Sequence, residues 1–366
     1  MKFIVSRNEL SNLIRKIQNV VPTNAPIPIL SNVLIEASSE ELVFTATDLT
    51  VGTRCVTKAK IYETGSLSIP SKRFFQLVRE LTDSNIEVSA SDNEMVEISS
   101  GSSRFRLHSM EKEDFPSLPD MENAVRFSLP SEKLKEMLQR TSFAVSKEDS
   151  RYVLTGVLLR IENGEAIFVG TDGKRLAKTD ISIDIEKEFT GEYIIPIKAV
   201  EEITKMFGED PKATIFLTED KIAVESDRTL LITKLLSGSF PDFLSVITTQ
   251  SNVTLDLHRE ELMTLLKQVA LFTNDLSHSV KFTFTTGELI LTANCSKFGE
   301  GKVSMPVNYE GGKLEIAFNP FFFLDILKHS KDQSVKLGIS DSYNPGVITD
   351  STRSLFIIMP MRLHDD

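Results

Sequence analysis

The chain has 366 residues, of which 41% are hydrophobic and 25% charged, with a formal net charge of −11. This is the composition of an ordinary globular protein, and no apolar run approaches the ~18 residues of a membrane span. Cys55 and Cys295 are far apart, with no CxxC pair and no close His/Cys spacing, so neither a disulfide framework nor a zinc site is expected; MKFIVSRNEL carries no signal-type apolar region, and a reducing cytoplasm fits.

In chain order, Lys2–Val5 reads as a short strand and Glu9–Val20 as an amphipathic helix, with Leu10, Leu13, Ile14 and Ile17 on one stripe. The proline-rich VPTNAPIPIL (Val21–Leu30) cannot continue that helix. SNVLIEAS and ELVFTATD follow as strands around a turn at Ser38–Glu40. IPSKRFFQLVREL, from Ile69, is a second helix with Pro70 near its first turn, where a missing N–H costs nothing. Strand-like stretches at Asn85–Ser89 and Arg104–His108 lead to DFPSLPD (Asp114–Asp120).

The pattern then repeats. FSLPSEKLKEMLQRTSFAV (Phe127–Val145) places Leu134, Met137, Leu138 and Thr141 124 positions after the first helix stripe. Leu255–Thr273 places Leu262, Leu265, Leu266 and Val269 another 128 positions on. The hairpin recurs at Thr155–Asp172 and Val280–Asn294, with turns at Asn163-Gly164 and Thr286-Gly287. The second helix recurs from Ile195 and from Phe318, and Pro70, Pro196 and Pro320 are 126 and 124 apart. Further strands are expected at Lys221–Glu225, Leu230–Lys234 and Leu355–Met359, and SFPDF (Ser239–Phe243) echoes DFPSLPD. A period near 120 residues is too long for a solenoid repeat and about the size of a small domain. Three similar domains are therefore expected, at residues 1–124, 125–251 and 252–366. Each would be α+β, with two helices and about eight strands, the helices packed by one stripe on antiparallel sheet.

Taken alone, the acidic balance argues against a nucleic-acid partner. The charge is segregated, however: the six expected helices together carry +6, which leaves −17 for everything else. Lysine and arginine are good helix formers on solvated faces, but glutamate is equally good, so propensity does not explain the sign. Helices facing one common space would make it positive and attractive to a phosphate backbone without base readout. No helix-turn-helix signature, no RNP-type aromatic set and no Trp points to sequence recognition.

TDGKRLAKTD (Thr171–Asp180) is the most catalytic-looking phrase. Gly173-Lys174-Arg175 could cradle a phosphate, but the P-loop spacing is missing and the stretch follows a hairpin strand, so a turn with a local basic pair competes with it. Its repeat relatives TATDLTVGTRC and TANCSKFGEG keep neither the Gly nor the Lys-Arg, so this copy has acquired something of its own. The five histidines have no metal or triad spacing, and no carboxylate pair is marked by a motif, so no catalytic residue, metal or cofactor is expected. In Asn319-Pro320-Phe321-Phe322-Phe323, three consecutive Phe cannot all point inward on a helix. Met359-Pro360-Met361-Arg362-Leu363 is an apolar chain end, and Met-rich surface commonly marks adaptable peptide binding.

With these residues in view, the chain resembles the bacterial beta sliding clamp family. Three repeats, RYVLTG followed by TDGKRLA, then FPDF, FNPFFFLDIL and a terminal MPMRL carry the resemblance over essentially the whole chain. It implies a non-enzymatic processivity subunit of DNA polymerase III: three clamp domains per chain, closed into a ring as a head-to-tail homodimer, with helices lining the hole. Implied partners are double-stranded DNA held without sequence specificity, the replicative polymerase, the clamp loader, repair polymerases and other proteins with clamp-binding peptides; no membrane is involved. Carried over by position, a partner-peptide pocket between the second and third domains would use Arg151, Leu154, Thr171, Gly173, Lys174, Arg175, Leu176, Pro241, Val246 and Ile357, with Asn319, Phe322, Tyr343, Met359, Pro360, Met361 and Arg362 outside them. DNA-facing positions would be Asn24, Lys72, Glu148, Tyr152 and Val153, with Arg15, Lys16 and Arg140 as helix candidates beside Lys133 and Lys135. The ring seam would pair Arg73, Arg104, Phe105 and Leu107 with Leu271, Phe272 and Glu300 of the next chain, near Lys297 and Lys302. Lys174 stands where the family often has His and Phe322 where it often has Tyr, and His364-Asp365-Asp366 extends past the terminal motif. The rivals are a phosphate-handling enzyme using Thr171–Arg175 and a protein scaffold without DNA.

Overall fold

A computed structural model describes every residue except 23–24, 26, 92–94, 207–210, 248–250, 275–277 and 363–366, and gives only the backbone of Ser91 and Asp149. Asn24, Leu363 and the His364-Asp365-Asp366 end thus lie outside the described residues.

The six long helices fall where the apolar periodicity places them: α1 (Arg7–Ile17), α2 (Ser71–Glu80), α3 (Ser131–Ser142), α4 (Ile197–Met206), α6 (Arg259–Ala270) and α7 (Pro320–His329). A one-turn helix, α5 (Leu244–Ile247), was not expected; Asp242 starts it by accepting the Leu244 amide at 3.0 Å. Pro70 is the residue before α2, and Pro320 is the first residue of α7, whose Asn319 side chain accepts the Phe321 amide at 2.9 Å. The Asn163-Gly164 turn has both residues at positive φ, 54° and 76°, as a two-residue hairpin demands.

The strands form four sheets, and all described pairings are antiparallel. One five-stranded sheet runs Lys60–Glu63, Lys2–Ser6, Asn85–Ser91, Met95–Ser100, Ser103–His108. An eight-stranded sheet runs Val125–Pro130, Lys212–Leu217, Lys221–Ser226, Thr229–Lys234, Val51–Lys58, Glu41–Thr47, Asn32–Ser38, Gly65–Pro70. A second runs Gly191–Pro196, Gly156–Glu162, Glu165–Thr171, Arg175–Ser182, Leu355–Ile358, Gly346–Thr349, Ser334–Ile339, Val253–His258. The last has four strands, Gly299–Pro306, Glu288–Cys295, Val280–Thr285 and Leu314–Phe318.

Both eight-stranded sheets cross a repeat boundary. Thr229–Lys234 of the middle repeat pairs with Val51–Lys58 of the first, and Leu355–Ile358 of the third pairs with Arg175–Ser182 of the middle one. Contacts accordingly gather into two compact units that cut through the middle repeat: residues 1–135 with 195–236, and residues 136–194 with 237–366. Periodicity finds the repeats; it carries no information on which strands join across them.

In the first unit, the α1 stripe Leu10, Leu13, Ile14 and Ile17 is buried, and Phe74 of α2 stacks on Phe44 with centroids 6.4 Å apart. Each such side chain contributes about 1.5–3 kcal/mol of transfer free energy. In the second unit, Phe282, Phe318 and Phe323 meet at 5.0 to 5.3 Å. There α3 lies so close to sheet that a Cβ on Gly170 would run into the Thr141 carbonyl, while the Thr141 hydroxyl donates to the Met137 carbonyl at 2.9 Å. This explains a Thr at the end of an otherwise apolar stripe.

Candidate peptide site and open sheet edges

The turn Thr171–Arg175 in the second unit is held by its own side chains. Thr171 Oγ1 donates to the Arg175 carbonyl at 2.6 Å and accepts from the Gly173 amide at 3.1 Å. Asp172 Oδ1 accepts from the Lys174 and Arg175 amides at 2.8 and 3.0 Å. Gly173 takes φ +82°, and an added Cβ would strike the Arg151 guanidinium. The turn amides are therefore already bonded internally, which removes the phosphate cradle expected as one reading of this stretch.

Arg175 is turned inward and 9% exposed. Its Nε donates to Asp172 at 3.1 Å, Nη1 to Asp325 at 2.7 Å and Nη2 to the Phe143 carbonyl at 2.7 Å. Its guanidinium also lies 4.6 Å from the Phe322 ring centroid. Arg175 thus ties the turn to α7 and fixes Phe322, while Phe321 is exposed and Phe323 is buried, as three consecutive Phe on a helix require. Sequence reasoning missed Phe143, Asp325 and His329. Phe143 stacks on His329 at 4.4 Å, and His329 Nδ1 lies 2.7 Å from the Asp325 carbonyl oxygen. Asp325 sits one helical turn after Phe322, a signal that was present and not used.

The chain end is fixed against this turn. Leu176 sits opposite Ile357, the Met359 amide donates to the Lys174 carbonyl at 2.9 Å, and the Met361 amide donates to the Ala317 carbonyl at 2.7 Å. Leu154, Leu176 and Ile357 are buried; Arg151, Lys174, Met359, Tyr343 and Arg362 are exposed. Pro241 is exposed and Val246 half-buried beside α5, and Asp341 accepts the Tyr343 amide at 2.8 Å. That bond, with those from Asn344, holds the Asp341 carboxyl below the usual carboxylate range. The arrangement is an apolar floor with a cationic and methionine rim, suited to an extended apolar peptide.

Two expected DNA-facing residues are corrected. Arg140 is 3% exposed and paired with the Asp350 side chain, itself fully covered, so it does not face solvent. Burial alone would raise the Asp350 carboxyl, but hydrogen bonds from Arg140 and Thr352 and the Arg140 charge outweigh it and hold it low. Lys16 is largely covered and bonds Asp227 at 2.6 Å. Arg15, Lys72, Lys133, Lys135, Glu148 and Tyr152 are exposed, and Val153 is half-buried.

Two of the sheet-edge strands bear on assembly. Ser103–His108 closes the five-stranded sheet of the first unit and is exposed on both faces apart from half-buried Leu107. Phe105 is 39% exposed there, with Arg73 exposed on α2. Gly299–Pro306 ends the four-stranded sheet of the second unit; Glu300 on it is exposed, Leu271 after α6 is 76% exposed, and Phe272 is half-buried.

Models of the DNA polymerase III beta subunit match the chain in three parts: the N-terminal domain over residues 1–119, the central domain over 128–242 and the C-terminal domain over 244–362. The chain belongs to the beta sliding clamp family. It is 75% identical to the beta sliding clamp of Chlamydia pneumoniae and 72% to that of Chlamydia muridarum, over the full length of all three chains. Among solved clamps, the DNA polymerase III subunit beta of Pseudomonas aeruginosa superposes with a TM-score of 0.95 at 28% identity, covering 99% of this chain and 100% of that one. A Pseudomonas aeruginosa clamp bound to griselimycin superposes at 0.96, with the same identity and coverage. Among the described residues, no group of three His, Cys, Asp or Glu could hold a metal ion, and no helix is long and apolar enough to cross a membrane.

Proposed function

We propose that the chain works as a DNA sliding clamp, a non-catalytic processivity factor that encircles duplex DNA and tethers the replicative polymerase. Three clamp domains per chain support this, and residues 1–124, 125–251 and 252–366 are their proposed extents. The observation that carries ring closure is the open strand Ser103–His108, bare on its edge and exposed except at half-buried Leu107. Such a strand calls for a partner strand. In a head-to-tail homodimer that partner is Gly299–Pro306 of a second copy, with Phe105 and Leu107 against Leu271 and Phe272 and with Arg73 and Arg104 near Glu300.

The site around Arg175, Phe322 and Met359 is the proposed anchor for polymerase peptides, and for the clamp loader and repair polymerases in turn. Arg15 and Lys72, with Glu148, Tyr152 and Val153, remain the proposed DNA-facing positions beside Asn24, which lies outside the described residues; Lys16 and Arg140 leave that group. Cytoplasmic action follows from the replication role. The test is retention on DNA: the clamp loaded by its loader should stay on a closed circle and leave when the circle is cut. Phe105→Asp should convert the dimer to monomer by light scattering and abolish retention. Equal retention of the wild-type protein on cut and closed DNA would overturn the reading.

A further inference from the structure

The two strand junctions inside the chain carry a register that the seam between chains can inherit. The hairpin ending in Ser103–His108 pairs Ser100 with Ser103 around Gly101-Ser102, and the middle repeat pairs Ser226 with Thr229 around Asp227-Arg228. Ser103–His108 is therefore the first repeat's copy of Thr229–Lys234, and Phe105 stands at the place of Leu231. At the other edge, Gly301 sits opposite Ala293 as Ala177 sits opposite Gly170. Gly299–Pro306 is therefore the third repeat's copy of Arg175–Ser182.

Both internal junctions use one register. Leu231 lies opposite Thr53, and Phe356 lies opposite Ala177, 124 residues after Thr53. The same register at the seam sets Phe105 opposite Gly301 of a second copy, Arg104 opposite Lys302 and Arg106 opposite Glu300. The pleat agrees with it. Gly301 is buried against the Phe272 ring, while Glu300 and Lys302 are exposed, so Phe105 falls on the covered face and both arginines on the open one. The helix side agrees as well. Phe356 meets Phe143 with centroids 6.1 Å apart, and Leu271, 128 residues after Phe143, is 76% exposed where Phe105 would arrive.

We infer that the seam joins one attracting row of charges to one repelling row, and that Lys302, opposite Arg104, sets how tightly two copies close. The inference rests on the ring reading above. In the attracting row Arg106 faces Glu300. In the repelling row Arg104 faces Lys302, with Lys281 next in line beyond Thr292. The acids nearby do not relieve that row. Glu97 is shared between Arg106 at 3.1 Å and Arg104 at 3.6 Å, and Glu315 is held by Lys313 at 3.2 Å and Lys281 at 3.7 Å. Glu300 lies only diagonally from Arg104. Like charges directly opposite on a sheet weaken the pairing.

The test is the dimer dissociation constant of the full-length protein, measured by sedimentation. Lys302→Glu should tighten the dimer about tenfold, because each ring has two seams, and Glu300→Lys should weaken it by a similar factor. Lys302→Ala should tighten it less, and should lose that effect when Arg104→Ala is already present. Raised salt should narrow the gap between wild type and Lys302→Glu. A dimer that Phe105→Asp abolishes but that Lys302→Glu leaves unchanged or weakens overturns the inference and leaves the ring standing. A wild type that stays monomeric, or a dimer indifferent to Phe105→Asp, overturns the ring reading and the inference with it.

Discussion

The two units build the same ion pair at equivalent places and bury it to different depths. In the first unit, Lys16 of α1 meets Asp227 at 2.6 Å, with side chains 13% and 39% exposed. In the second, Arg140 of α3, 124 residues later, meets Asp350 with side chains 3% and 0% exposed. Duplication preserved the topology of the pair, and burial sets its energetic weight. A half-wet pair is worth little because water and salt screen it. A dry one becomes indispensable once formed, since removing one partner strands the other charge. Even so, Arg140 Nε and Nη1 lack hydrogen-bond partners, and the guanidinium lies 5.4 Å from the Phe356 ring centroid, so its desolvation is only partly offset by hydrogen bonds.

This contrast can be broken directly. Arg140→Ala should destabilise the protein by about 3–5 kcal/mol in chemical denaturation, and Lys16→Ala by about 0–1 kcal/mol; similar losses would refute the burial argument. The pH dependence follows the same logic. Asp350 is depressed in the folded state, so its contribution is complete above the ordinary carboxylate value and fades as pH falls through the lower folded value. Asp350→Asn should therefore flatten the acid limb of the stability curve, and an unaltered limb in that variant would refute the argument.

A smaller effect separates the turn at Thr171 from its first-repeat copy, where Leu49 holds φ +73°. Arg175→Ala removes three hydrogen bonds and the cation over Phe322, and should weaken peptide binding by at least tenfold while leaving the turn bonds from Thr171 and Asp172 in place. Retained affinity would show that Arg175 only supports the fold. The smallest effect is Leu49→Gly, expected to raise stability by about 0.5–1 kcal/mol by relieving the left-handed leucine. Gly173→Ala should lower it by a similar amount, and thermal unfolding of both variants reads the difference.

How much of this was legible in the sequence depended on the range of the interaction. Helices, hairpin turns and the threefold repeat are local periodicities, and they stand where the pattern of Leu10 to Ile17 and its copies put them. The Asn163-Gly164 turn was readable because φ is a property of two residues. The direction in which a cation points was not readable. Arg140 and Lys16 sit on helix faces that a charge count treats as solvated, and their acids lie more than two hundred residues away. The turn at Thr171 was read through its Gly-Lys-Arg sequence, whereas its architecture resides in Thr and Asp, which the first repeat also has. What distinguishes this copy is Arg175, whose partners Phe143 and Asp325 come from two other elements.

The bare strand Ser103–His108 has a consequence during synthesis. Its proposed complement, Gly299–Pro306, is made roughly 190 residues later, a delay of about 10–40 s at ordinary elongation rates. Through that interval every nascent chain displays an unsatisfied sheet edge beside other chains displaying the same one. Arg104 and Arg106 then act as a guard. Both arginines share Glu97 of the neighbouring strand, so two copies of this strand laid side by side still bring two arginines from each against one shared acid, whereas Gly299–Pro306 carries one acid and one base, Glu300 and Lys302. The same residues that would close the finished assembly thereby discourage premature pairing between half-made ones.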